Sequence, residues 1–158
     1  MTQNLMTPNF TGESLAQMDH GIEMLEAMTA DFLSLTPDEV RRICFLDPEQ
    51  SAVLWDELFG PGAGHLMLAR IPGARVATFH LGFDDPAAGR VAFDQNLGPA
   101  RTLLFAWGRA HACLVPREVF LAAWDDFFYP SDESSVVVAL GADRLVCSFE
   151  RTFFVHAL

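Results

Sequence analysis

Residues 134–157 read SSVVVALGADRLVCSFERTFFVHA. Apolar residues fill this stretch in runs too short for helices, and Gly141-Ala142-Asp143 has the composition of a tight turn. The stretch therefore predicts strands at 134–140, 143–150 and 152–157, the first two joined as a hairpin. The last two are nearly continuous, and one bent strand is the other reading. A hairpin requires antiparallel pairing, so the C-terminal segment points to an antiparallel sheet.

The same signals extend toward the N-terminus. Residues 101–107 and 110–115 form a second hairpin pattern that turns near Gly108-Arg109. Between the two hairpins, residues 116–128 carry Val119, Phe120, Ala123, Trp124 and Phe127 at helical spacing, and Tyr129-Pro130-Ser131-Asp132 ends the helix. Residues 86–97 read as a weak helix interrupted in propensity by Gly89. Upstream, 65–71 and 74–82 read as strands joined by Pro72-Gly73. In the second, Ala77, Phe79 and Leu81 point one way and Val76, Thr78 and His80 the other.

Before the glycine-rich turn at Gly60-Pro61-Gly62-Ala63-Gly64, the pattern is helical. Leu15, Met18, Ile22, Leu25, Met28 and Phe32 mark a helix over 14–33, opened by a capping box of Ser14 and Gln17. Thr36-Pro37-Asp38-Glu39 and Asp47-Pro48-Glu49-Gln50 each combine a cap, a proline at the first helical position and an acid or amide three residues after the cap. They predict short helices over 37–45 and 48–59, the latter with Val53, Leu54, Leu58 and Phe59 inward. The order is helices, four strands, a helix, then two or three strands. It predicts a single α+β domain over 1–158. An N-terminal helical layer at 14–59 packs on one side of a mainly antiparallel sheet of five to seven strands. The helix at 116–128 is inserted between strands, and residues 1–12 are irregular.

Composition limits what such a domain does. The chain has 158 residues, 51% of them apolar and 20% charged, enough for a core and unlike a disordered chain. Three cysteines are too few for a disulfide scaffold and fit a reducing compartment. The net charge of −11 opposes nucleic-acid binding, which rests on neutralising phosphates with basic side chains. No secretory signal pattern opens the sequence, and no apolar run is long enough to span a bilayer. The expected location is cytoplasmic, without membrane contact. Lysine is absent and every base is arginine, which a GC-rich codon bias would produce.

Few residues suggest chemistry. His20, His65, His80, His111 and His156 lack metal-site spacing, so strand or surface histidines are the plainer reading. Cys44, Cys113 and Cys147 sit among apolar neighbours and read as core residues. Asp84-Asp85 and Asp125-Asp126 are adjacent in sequence, so their side chains diverge and do not form a two-carboxylate site. The glycine-rich turn has no following Lys-Ser/Thr and precedes a strand, unlike a phosphate loop. No catalytic residue, metal or cofactor is assigned. An enzyme reading would rest on His80, His111 and Glu150 converging on an open sheet face.

The acids are the more informative feature. Residues 1–60 hold Glu13, Asp19, Glu23, Glu26, Asp31, Asp38, Glu39, Asp47, Glu49, Asp56 and Glu57 against only Arg41 and Arg42. Residues 61–158 are nearly balanced, with ten acids and eight arginines. Asp19, Glu23 and Glu26 repel one another along a helix, each pair costing a few tenths of a kcal/mol. An ordinary solvated face is one reading. A surface for a basic partner is the other, formed by Asp19, Glu23, Glu26, Asp38, Glu39, Asp56 and Glu57. A second candidate is residues 124–133, WDDFFYPSDE, where an aromatic helix end meets an acidic loop. Trp124 and Phe127 fit the core there, while Tyr129, Asp132 and Glu133 fit an exposed rim.

This segment, with the short strands that follow it, resembles small acidic bacterial proteins grouped with the immunity proteins of polymorphic or contact-dependent toxin systems. The resemblance spans roughly residues 102–155 and is specific only around 124–133. It implies a protein that binds and occludes a cognate basic toxin, and it carries no catalytic residues across. Two alternatives stay open: a small enzyme without a recognisable motif, and a regulatory module that self-associates through a sheet edge or the helical layer.

Overall fold

Thr36 opens the first described helix of the computed structural model, which describes residues 34–61, 71–128 and 135–158. Its hydroxyl accepts from the Glu39 backbone N–H while the Glu39 carboxylate accepts from the Thr36 N–H, a complete capping box. Helix α1 (Pro37–Arg41) is short, and the chain then extends as β1 (Cys44–Phe45). The expected helix over 37–45 therefore stops four residues early. Ile43 and Phe45 are buried in the aromatic core, and β1 pairs antiparallel with Leu114 and Cys113. Tertiary pairing here overrides local helix propensity.

Asp47 and Gln50 form a second capping box at the start of α2 (Pro48–Phe59). The described strands continue with β2 (Ala74–His80), β3 (Thr102–Trp107), β4 (Ala112–Pro116), β5 (Ser135–Ala139), β6 (Arg144–Phe149) and β7 (Thr152–Ala157). The helices continue with α3 (Pro86–Asn96), α4 (Arg117–Ala122) and α5 (Trp124–Phe127). All pairings are antiparallel, and seven strands form one sheet in the order β1-β4-β3-β5-β6-β7-β2. The fold is α+β.

Helices cover both faces of this sheet rather than one. On one face α3, α4 and α5 pack Phe93, Phe120, Trp124 and Phe127 against Phe105, Val137, Val146 and Phe153. On the other, Trp55 and Phe59 of α2 join Leu104, Val136, Val138, Leu145 and Cys147. Burial on two faces explains why β5 is apolar without alternation from Val136 to Ala139. The single helix expected over 116–128 is two. Ala123 departs from helical geometry at φ −138°, which separates α4 from α5. The candidate helix over 14–33, the candidate strand over 65–71 apart from the buried Ile71, and the irregular segment over 1–12 lie outside the described residues.

Residues 143–157 are not one bent strand. β6 and β7 fold back on each other with Phe149 opposite Thr152, leaving a two-residue turn of Glu150 and Arg151. Both residues have positive φ, 47° and 69°. That is the geometry of a type I′ turn, which favours Asn-Gly. Left-handed backbone at non-glycine residues costs about 1–3 kcal/mol each. Replacing the pair by Glu150→Asn with Arg151→Gly should therefore stabilise the fold by at least about 1 kcal/mol. That gain raises the melting midpoint by about 2–4 °C for a chain of this size. An unchanged or lower midpoint would show that side-chain contacts of Glu150 or Arg151 outweigh the strain.

Candidate functional site

The orientation of α2 decides which acids face solvent. Ser51, Trp55 and Phe59 recur every four residues and are buried, with Trp55 packed on Phe59 at 4.5 Å between ring centroids. This stripe places Glu49, Val53 and Glu57 on the opposite side, again at four-residue steps. Val53 was expected to point inward, but the bulk of Trp55 takes the core position and rotates Val53 outward to 52% exposure. Glu49 and Glu57 have no ion-pair partner among the described residues. The outer face of α2 is thus an apolar side chain between two uncompensated carboxylates.

The other acids assigned to this layer are placed differently. Asp56 forms a two-pronged ion pair with Arg109 in the turn between β3 and β4, with Nε–Oδ1 at 2.9 Å and Nη2–Oδ2 at 2.8 Å. These hydrogen bonds, partly opposed by burial and aided by the arginine charge, hold the Asp56 carboxyl below its usual value. Asp56 therefore ties α2 to the sheet. Asp38 pairs with Arg41 within α1, and Glu39 serves the Thr36 cap. Arg42 bridges to Glu118 on α4. Both arginines of the first 60 residues are thus engaged with acids, and Glu49 and Glu57 remain uncompensated. Asp19, Glu23, Glu26, Tyr129, Asp132 and Glu133 lie outside the described residues.

His80, His111 and Glu150 do not form one site. His80 is the last residue of β2, His111 lies in the turn before β4, and Glu150 lies in the turn between β6 and β7. The strand register brings all three to the same end of the sheet. However, β3, β5, β6 and β7 intervene between β4, which His111 precedes, and β2, which carries His80, a separation of roughly 24 Å at normal strand spacing. His80 instead meets Thr152, with Nδ1 3.1 Å from Oγ1 on an exposed surface.

The remaining polar candidates serve the fold. Asp85 caps α3 through the Ala88 N–H, and Asp126 accepts from the Ser34 N–H at 2.9 Å. Burial, followed by the field of Asp126, raises the Asp125 carboxyl above its usual value. Burial likewise pushes the Cys113 thiol well up and the Cys147 thiol to about 12, so both stay protonated. Among the described residues, no three His, Cys, Asp or Glu side chains cluster as metal ligands. None of the helices described is long and apolar enough to cross a membrane.

Comparison with protein families, characterised proteins and solved structures finds no match to this chain. Glu49 and Val53 are additions to the residues singled out by sequence. The four-residue spacing of Ser51, Trp55 and Phe59 was the available signal, since a tryptophan fixes the buried side of a short helix more strongly than a valine does.

Proposed function

We propose that this chain is a protein-binding module whose acidic helical segment docks a basic partner, in the manner of an immunity protein that occludes a toxin. The observation that carries the reading is the Glu49–Val53–Glu57 face of α2. Uncompensated carboxylates attract a basic surface over a distance, speeding encounter and disfavouring wrong partners. An exposed valine between them supplies apolar area that a partner can bury. Asp38, Asp56 and Glu118 are paired with arginines, and these two glutamates are left available. A cytoplasmic location belongs to the same proposal.

The test is capture of host proteins on immobilised wild-type chain and on a Glu49→Lys, Glu57→Lys double variant, at low and high salt. The reading expects a basic protein held by the wild type, released by salt and lost by the variant. Its association rate should fall about tenfold or more at low ionic strength on charge reversal. The variant should stay folded and lose no more than about 2 kcal/mol, because neither side chain has an ion-pair partner and only Glu49, in the first turn of α2, interacts favourably with the helix N-terminus. A partner held equally by both chains would remove α2 as the docking face. A chain that captures nothing basic would overturn the proposed function.

A further inference from the structure

His156 on β7 is 5% exposed, and neither of its ring nitrogens has a hydrogen-bond partner. Buried polar groups are normally satisfied, so this side chain is an exception that needs a reason. Its cross-strand neighbours are Leu145 on β6 and Arg75 on β2. The Arg75 guanidinium lies over the Phe154 ring, 4.4 Å from its centroid, and has no ion pair among the described residues. Burial, then the Arg75 charge, holds the imidazole below its ordinary value. The backbone polar groups of Pro72 and Gly73, against the ring, offset part of this.

Among the described residues, the other titratable groups nearby do not compensate a charge on this ring: α2, which covers this face, commits Asp56 to Arg109 and turns Glu49 and Glu57 to solvent. Arg144 on β6 precedes Leu145, so the strand pleat turns it to the opposite face. Cys147 shares the face of Leu145 but is a neutral thiol. Asp143, in the turn before β6, reaches the end of the chain through its carbonyl, which accepts from the Leu158 N–H.

The strand beside His156 lies at an edge of the sheet. Among the described strands, β2 lies at the edge, with β7 as its neighbour. Its register slips between Arg75 and Ala77, next to the Arg75–His156 pair. The far half is anchored: Phe79 stacks on Phe153 at 5.2 Å and meets Phe93 edge-on at 5.5 Å. The near half has no aromatic side chain and is held by its strand pairing, by Arg75 over Phe154 and by Ala77 against the core. We propose that His156 is a proton-sensitive latch: its protonation frees residues 74–77 from β7, while Phe79 keeps the rest of β2 docked.

The direction follows from linkage. The proton binds more readily to the open corner, where the ring is hydrated, than to the closed one. Closure is therefore fully favoured above the open-state value of 6.5 and weakens as pH falls through it. Hydrogen exchange on the full chain, corrected for intrinsic rates and compared at pH 7.5 and 5.0, reads this out strand by strand. Protection over 74–77 should fall by up to about 30-fold at the lower pH, with Phe79 and β6 changing much less. His156→Leu should abolish the drop, and Arg75→Gln, which keeps the histidine but removes its cationic neighbour, should reduce it. Three results would each overturn the latch. They are equal protection at both pH values, the same drop in His156→Leu, or a loss that spreads equally over β2 and β6.

Discussion

Trp124→Ala is expected to destabilise the fold by about 3–5 kcal/mol. Trp124 is fully buried and sits where α3, α5 and the sheet meet. Its ring lies 5.2 Å from Phe83, 5.6 Å from Phe93 and 6.2 Å from Phe153, centroid to centroid. Its indole N–H donates to the Pro86 carbonyl at 2.9 Å, joining α5 to the first turn of α3. Truncation removes the apolar surface, empties a site walled by other aromatic rings and cuts that link. The surrounding rings are held by one another, Phe93 meeting Phe79, Phe120, Phe128 and Phe153 as well. The cavity therefore collapses poorly, which places the cost in the upper part of the range. Thermal melting should show a midpoint lower by about 6–20 °C. A shift within about 2 °C would mean that the aromatic cluster repacks freely and is not a close-packed core.

Local chemistry was legible in the sequence wherever one residue type dictates one geometry. The capping boxes at Thr36 and Asp47 stand as their residues suggest, because proline and the side-chain acceptor fix the first turn without help from the rest of the chain. The turns at Gly108 and Gly141 likewise carry positive φ at glycine. What sequence could not show were the features set by distant partners. The two residues of β1 become a strand only because β4 lies beside them. β2 closes the sheet by pairing with β7, more than seventy residues later, and nothing in ARVATFH names that partner. The Glu150-Arg151 turn was illegible for a different reason. Its backbone favours asparagine and glycine, and the sequence supplies neither, so nothing there marked a tight turn although two strands were the first reading. In the candidate docking layer, the clustering of acids was evident from composition. Which of them are committed to the fold was not, because the partner of Asp56, Arg109, is contributed by a turn on the far side of the domain's sequence.

Gly89→Ala should be strongly destabilising although it improves helix propensity. In an exposed helix interior this substitution gains about 1 kcal/mol, and Gly89 first reads as a weakness in α3. The structure gives it another role. A methyl group there would stand 2.0, 2.2 and 2.3 Å from Cε2, Cζ2 and Nε1 of Trp124. The indole cannot retreat, because Phe83, Phe93 and Phe153 surround it and the Pro86 carbonyl fixes its edge. Either α3 moves off the sheet or the tryptophan leaves its rotamer, an overpacking cost at or above the usual 1–3 kcal/mol. The net loss expected in the wild-type background is about 2 kcal/mol or more. In the Trp124→Ala background the same substitution meets empty space, and only the propensity gain remains. Its effect should then change sign, to a stabilisation of up to about 1 kcal/mol. Denaturant unfolding of the four proteins closes this cycle. A Gly89→Ala cost that persists without the indole would place the conflict elsewhere in α3. A change of sign would establish that the missing side chain at position 89 and the large one at position 124 are two halves of a single packing solution.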